Sequence, residues 1–149
     1  MNSSINYSAD AGFYKQVAMN LFLSSPSGLP IYYTTDGSLP GADAQPYDGS
    51  IPLTDADTNA SLIELLQNEL ADDRVILTEY PLPTATVIRA AVQYPDGTFG
   101  EAYTRTYFLN SDISHFNCTV LSLTADPSDL LDYYTGIMAK GFLFDQNIF

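Results

Sequence analysis

TATVIRAAVQYPDGTFGEAYTRTYFL, residues 84–109, decides the fold. In its first half Ile88, Ala90, Val92 and Tyr94 share one side while Arg89 and Gln93 point to the other, the period of a half-buried strand. Asp96-Gly97 then supplies residues that tolerate the positive φ of a tight turn. EAYTRTYFL, 101–109, returns as a second strand-like run, so the pattern predicts an antiparallel pair.

IYYTTDGSLP, 31–40, repeats that formula. Tyr and Thr suit a pleated, half-covered surface, and Asp36-Gly37-Ser38 turns the chain. Parity places Tyr33 inward beside Ile31 and Tyr32 on the outer face. VAMNLFL, 17–23, sets Val17, Met19, Leu21 and Leu23 against Ala18, Asn20 and Phe22, a further strand. After the loop GADAQP, the short run Ile51-Pro52-Leu53 reads as an edge strand, because proline donates no ladder hydrogen bond.

SLIELLQNELA, 61–71, changes period. Leu62, Leu65, Leu66 and Leu70 form one helical stripe, and Ser61 with Glu64 makes a capping box, predicting a helix inserted among the strands. RVILTEY, 74–80, and TVLSLT, 119–124, predict two more strands. Between them NSDISHFN is polar and linker-like. Asp126-Pro127 predicts a helix start, with Asp126 as N-cap and Pro127 in the first position. GIMAKGFLFDQNIF is apolar and stops without a polar terminus. Short strands, Gly/Pro turns and no strand-helix alternation predict a sandwich in preference to a parallel sheet.

Composition narrows the functional classes. The 149 residues suffice for a single core, and 46% hydrophobic content with 11 Tyr and 8 Phe argues against disorder. Five Lys+Arg against 18 Asp+Glu leave a net charge of -13, which repels phosphate backbones and anionic lipid, so nucleic acid is not an expected partner. No apolar run approaches the roughly 20 residues that cross a bilayer. MNSSINYSADAG lacks the basic and apolar regions of an export signal. Cys118 is the sole cysteine, which excludes an internal disulfide and a Cys-based zinc cluster, and reads as a small buried thiol on a strand.

Candidate chemistry is sparse. Asp55-x-Asp57-x-Asn59 copies the start of a calcium loop, but Ala60 and Leu66 stand where glycine and a bidentate glutamate belong, so capping of the next helix is the better account and no metal is expected. His115 beside Ser114 lacks the strained elbow that exposes a serine nucleophile. Glu64, Glu69, Glu79 and Glu101 are available as carboxylates, yet Glu64 is explained by capping and Glu69 by a solvent-facing helix position. No phosphate-cradling glycine loop is present, so phosphoryl transfer within these residues is excluded, and no cofactor is expected. Sugar rings stack on aromatic faces, which makes Tyr32, Tyr94, Tyr103 and Tyr107 the candidates for binding a cell-surface glycan. Against that stand the absence of Trp and the tendency of strand tyrosines to pair across strands.

YSADAGFY, IYYTTDGSLP, YDGSIPLTD and TVIRAAV followed by DG and TRTYFL together resemble the chitobiase/β-hexosaminidase C-terminal-type domain, an immunoglobulin-like sandwich. They resemble in particular the version that precedes the kinase-like domain of spore coat protein H-type proteins. TVLSLTADPSDLLDYYTGIMAKG is similar to the opening of that second domain, and PLTDADTNASL to an insertion in the same subgroup, so the resemblance runs from about Tyr7 to about Gly141. It implies a non-catalytic accessory domain, in secreted or cell-surface bacterial multidomain proteins, whose partners are neighbouring domains. Phosphoryl-transfer residues would lie further along a longer chain.

The expectation is therefore a mainly β fold: an immunoglobulin-like antiparallel β-sandwich over residues 1–110 with one inserted helix, then a short C-terminal α/β extension over 111–149. The expected function is a spacer or interaction module without catalytic residues. A carbohydrate-binding module is the alternative. Asp36, Gly37, Ser38, Asp96 and Gly97 are structural turn residues.

Overall fold

The computed structural model describes residues 3–55, 85–111, 119–137 and 141–146. These form nine short strands, β1 (Asn6–Tyr7), β2 (Gly12–Phe13), β3 (Ala18–Leu21), β4 (Leu23–Ser24), β5 (Ile31–Thr34), β6 (Gln45–Pro46), β7 (Ile51–Thr54), β8 (Thr86–Val92) and β9 (Tyr103–Phe108). Two short helices follow, α1 (Pro127–Leu131) and α2 (Phe142–Asp145).

The largest sheet has the order β2-β9-β8-β5-β6. Its centre is the predicted pair: β8 runs antiparallel to β9 with Thr86 opposite Tyr107 and Ala90 opposite Tyr103. The return passes through Asp96-Gly97, where Gly97 has φ 85°. On its other side β8 pairs antiparallel with β5, Tyr32 opposite Ala91 and Tyr33 opposite Ala90. β2 closes the far edge parallel to β9, placing Phe13 opposite Phe108.

The remaining strands form two ladders, β3 with β7 and β4 with β1. β3 and β4 are one alternating run that changes partner at Phe22. There the amide of Phe22 donates to Ser8 Oγ and the amide of Ser8 donates to the Phe22 carbonyl, each at 2.9 Å. The switch keeps Leu21 and Leu23 on the same buried side.

Leu21, Leu23, Ile51 and Leu53 from these ladders join Ile31, Ile88, Ala90, Val92 and Tyr107 from the five-stranded sheet in one hydrophobic cluster. Removing each large apolar side chain from water contributes about 1.5–3 kcal/mol, so this shared core holds the two sets of strands together. The protein is mainly β, with several sheets and very little helix among the described residues, an arrangement consistent with a β-sandwich.

Three expectations need correction. TVLSLT forms no strand: residues 119–124 belong to no ladder, and Ser122 meets β9 through its side chain, on the Thr106 hydroxyl, in place of a backbone pairing. Val17 is 62% exposed and not on the core face; it precedes β3, and its carbonyl accepts from the Asp55 amide. Asp36-Gly37 turns the chain but closes no two-residue hairpin; β5 reaches β6 through the longer connection 35–44. The helix expected over 61–71, the strand over 74–80, Cys118 and the Ser114-His115 pair lie outside the described residues, as do Asp57, Asn59, Glu64, Glu69 and Glu79.

Candidate functional site

The side of the five-stranded sheet turned away from the core is where the chain places its most specific contacts. β8 offers Arg89 to this side and β9 offers Thr104, Thr106 and Phe108, the alternates of the core-facing residues. The extended segment 119–125 crosses it. Ser122 Oγ donates to Thr106 Oγ1 at 3.1 Å, while Leu121 and Leu123, the intervening residues, are 79% and 85% exposed. The alternation of TVLSLT thus turns Val120, Ser122 and Thr124 towards the cleft over the sheet and Leu121 and Leu123 towards solvent, without joining a ladder.

The Asp36-Gly37-Ser38 turn receives the end of this segment. Asp36 Oδ1 accepts from both the amide and the hydroxyl of Ser38, at 3.0 and 2.6 Å. Those two bonds hold its carboxyl below the usual carboxylate range, the hydroxyl contributing most. Gly37 takes φ 87°, and a Cβ there would lie 3.3 Å from the Ala125 carbonyl oxygen and 3.5 Å from Thr124 Cγ2. From β8, Arg89 Nη1 donates to the Gly37 carbonyl at 2.7 Å. Arg89 Nε is buried and meets no hydrogen-bond partner among the described residues.

The same motif recurs twice. Asp96 Oδ1 accepts from the amide and hydroxyl of Thr98, and Asp126 Oδ1 from those of Ser128 at the start of α1. The latter is the predicted N-cap, and its carboxyl is lowered mainly by the Ser128 hydroxyl, with Arg89 adding to the effect.

Between segment 119–124 and the sheet lies an open cleft of about 460 Å³, lined by Phe13, Phe108, Thr104, Thr106, Val120 and Ser122 among others. Phe13 and Phe108 stack in its wall, with ring centroids 4.4 Å apart and planes 15° from parallel. A second cleft of about 410 Å³ opens beside the connection 35–44, near Tyr33, Asp43 and Gln45.

The four candidate stacking tyrosines do not come together. Tyr107 is fully buried, and its hydroxyl donates to the Ala9 carbonyl at 3.0 Å, so its ring offers no face to a sugar. Tyr94 and Tyr103 pack against the core from the same side. Tyr32 alone lies on the opposite face, edge-on to Phe99 with centroids 5.6 Å apart. Glu101, the one candidate carboxylate within the described residues, receives the Tyr103 hydroxyl at 3.5 Å.

Tyrosine hydroxyls instead tie the layers at their rims. Tyr47 Oη accepts from the Leu23 amide at 3.0 Å and donates to the Gly49 carbonyl at 2.6 Å, linking the β6–β7 connection to β4. Tyr7 Oη donates to the Tyr103 carbonyl at 2.6 Å, and the Arg105 guanidinium lies 5.4 Å from the centre of the Tyr7 ring. Burial pushes the Tyr7 phenol up to about 12 against the opposing pull of Arg105, and burial raises Tyr107 as well. Sequence reasoning missed the Phe13–Phe108 stack and the Arg89–Gly37 bond, for which no local signal exists: both join residues far apart in the chain.

Among the described residues no three His, Cys, Asp or Glu side chains cluster to hold a metal ion, and no helix is long and apolar enough to cross a membrane. Residues 9–65 match the family model of the chitobiase/beta-hexosaminidase C-terminal domain, a stretch that takes in β2 through β7. No curated protein and no solved structure matches the chain.

Proposed function

We propose that the chain is a non-catalytic accessory module, a spacer or interaction domain of a secreted or cell-surface bacterial multidomain protein. The observation that carries this reading is the occupation of the outer sheet face by the chain's own segment 119–125, seated on the Gly37 turn and on Thr106. A domain whose following segment is docked along its face is suited to fixing the direction in which the chain continues. The family match over residues 9–65 supports an accessory role, as does the diversion of Tyr7, Tyr47 and Tyr107 into ties between chain segments.

On this reading the sandwich is immunoglobulin-like, residues 1–110 are the module, and 111–149 lead into a neighbouring domain of spore coat protein H type, in line with the resemblance of TVLSLTADPSDLLDYYTGIMAKG. The rival reading, a carbohydrate-binding module, needs a shared aromatic platform. The candidate tyrosines fall on opposite faces of one sheet, which favours the spacer.

A glycan array, followed by calorimetric titration of any hit on the 149-residue chain, tests the choice. The spacer reading expects no saturable binding. Saturable binding abolished by Tyr32→Ala would replace it with the carbohydrate reading.

A further inference from the structure

Segment 119–125 is attached in an unusual way. Leu121 and Leu123 face solvent, Val120 is 42% exposed, and the cleft beneath separates much of the segment from the sheet. Apolar burial therefore contributes little to holding it. Among the described residues the specific contacts are at two points: Ser122 on Thr106, and Thr124-Ala125 against the bare α-carbon of Gly37. The second point depends on the position of the turn, and the turn is held from behind by Arg89, whose guanidinium reaches the Gly37 carbonyl from the middle of β8.

A hydrogen bond from a charged donor is among the stronger kinds, and its loss would leave the Gly37 carbonyl without that donor while Thr34 Oγ1 on the Ser38 carbonyl and the Asp36–Val87 bridge still hold the turn to the sheet. Segments held by few buried contacts open locally at much lower free energy than the whole domain unfolds. Nothing in the 18–24 or 86–92 strands needs this segment for its own pairing. The attachment is thus separable from the core.

We propose that residues 119–125 are a releasable strap, latched on the outer sheet face by the Gly37 turn and by the Ser122–Thr106 hydrogen bond, with Arg89 as the positioning residue of the latch. Release uncovers Thr104, Thr106, Phe13 and Phe108, so the strap controls access to this face as well as the direction of the following chain. The proposal deepens the accessory-module reading and rests on it for its biological meaning, but it fails or stands separately: glycan titration tests the one and strap opening tests the other.

Limited chymotrypsin digestion of the full 149-residue chain, with cleavage sites mapped by mass spectrometry, reads the opening directly at Leu121 and Leu123. Arg89→Met is expected to raise cleavage at these two sites about tenfold, with cleavage inside β3–β4 and β8–β9 unchanged. Ser122→Ala, which leaves the core and the turn intact, is expected to raise it severalfold and serves as the deciding variant should Arg89→Met unfold. Equal cleavage at Leu121 and Leu123 in the unaltered chain and in Ser122→Ala would overturn the proposal. So would cleavage of the core strands in step with the strap in Ser122→Ala.

Discussion

Gly37 and Gly97 occupy turns of the same kind, with φ 87° and 85° and an Asp-x-Ser/Thr bond pattern around each, yet among the described residues only Gly37 has another part of the chain against it. Among the described residues a Cβ at Gly97 would meet nothing within 4 Å, while one at Gly37 would meet the Ala125 carbonyl. The pair therefore separates the backbone requirement of the turn from the contact made by the strap.

Gly97→Ala is expected to destabilise by about 1 kcal/mol, the penalty of a side chain in the left-handed region. Gly37→Ala is expected to cost about 1 kcal/mol more, because the neighbouring carbonyl must also move. Gly37→Val, with a branched Cβ, is expected to exceed both. Chemical denaturation of the three variants measures the difference; equal losses for the two alanines would show that the strap exerts no pressure on the turn.

Tyr47→Phe removes the hydroxyl that accepts the Leu23 amide and caps the Gly49 carbonyl. Leaving that amide without its acceptor is expected to cost about 1–3 kcal/mol. The loss should appear in thermal unfolding together with faster amide exchange at Leu23. Unchanged exchange there would mean that the hydroxyl does not serve as the acceptor.

The core assignment predicts a contrast between neighbours in one strand. Leu21→Ala and Ile88→Ala, both at 0% exposure, are each expected to lose about 2–5 kcal/mol. Phe22→Ala, at 52% exposure between Leu21 and Leu23, is expected to lose far less. Comparable losses at Leu21 and Phe22 would mean that the run is not alternating against a core.

Alkaline pH offers a test of the buried phenols. Tyr7 binds its proton more tightly folded, near 12, than unfolded, near 10. Its contribution to stability is therefore complete below pH about 10 and is lost as pH rises from there towards 12. Tyr7→Phe is expected to flatten this alkaline decline, as followed by urea midpoints at stepped pH. An identical decline in the variant would remove Tyr7 as its source.

Much of this architecture was readable in the chain. The alternation of Ile88, Ala90 and Val92 and the Asp96-Gly97 turn specify the central pair through purely local rules, and Asp126-Pro127 specifies a helix start in the same way. TVLSLT shows where local rules stop. Its period of two separates Val120, Ser122 and Thr124 from Leu121 and Leu123, but the same period describes a hydrogen-bonded strand and an extended segment lying on a face. Which one forms depends on tertiary placement, and so does the parallel pairing of β2 with the Tyr107–Phe108 end of β9, which no turn signal announces.

The tyrosines carry a similar lesson. Tyr32 and Tyr103 belong to opposite faces because Tyr32 stands beside Ala91 and Tyr103 beside Ala90. That one-residue offset in register decides whether two rings can share a ligand, and register is a property of the assembled sheet. Arg89 illustrates the limit further: its partner, the Gly37 carbonyl, is 52 residues away in the chain.

The docked strap is the claim on which the spacer reading depends, and nuclear Overhauser contacts test it most directly. The structure predicts cross-peaks from the Thr124 γ-methyl to the α-protons of Gly37, since that methyl carbon lies 3.5 Å from where a Gly37 Cβ would be. A Thr124 methyl with only sequential cross-peaks and random-coil shifts would contradict the account.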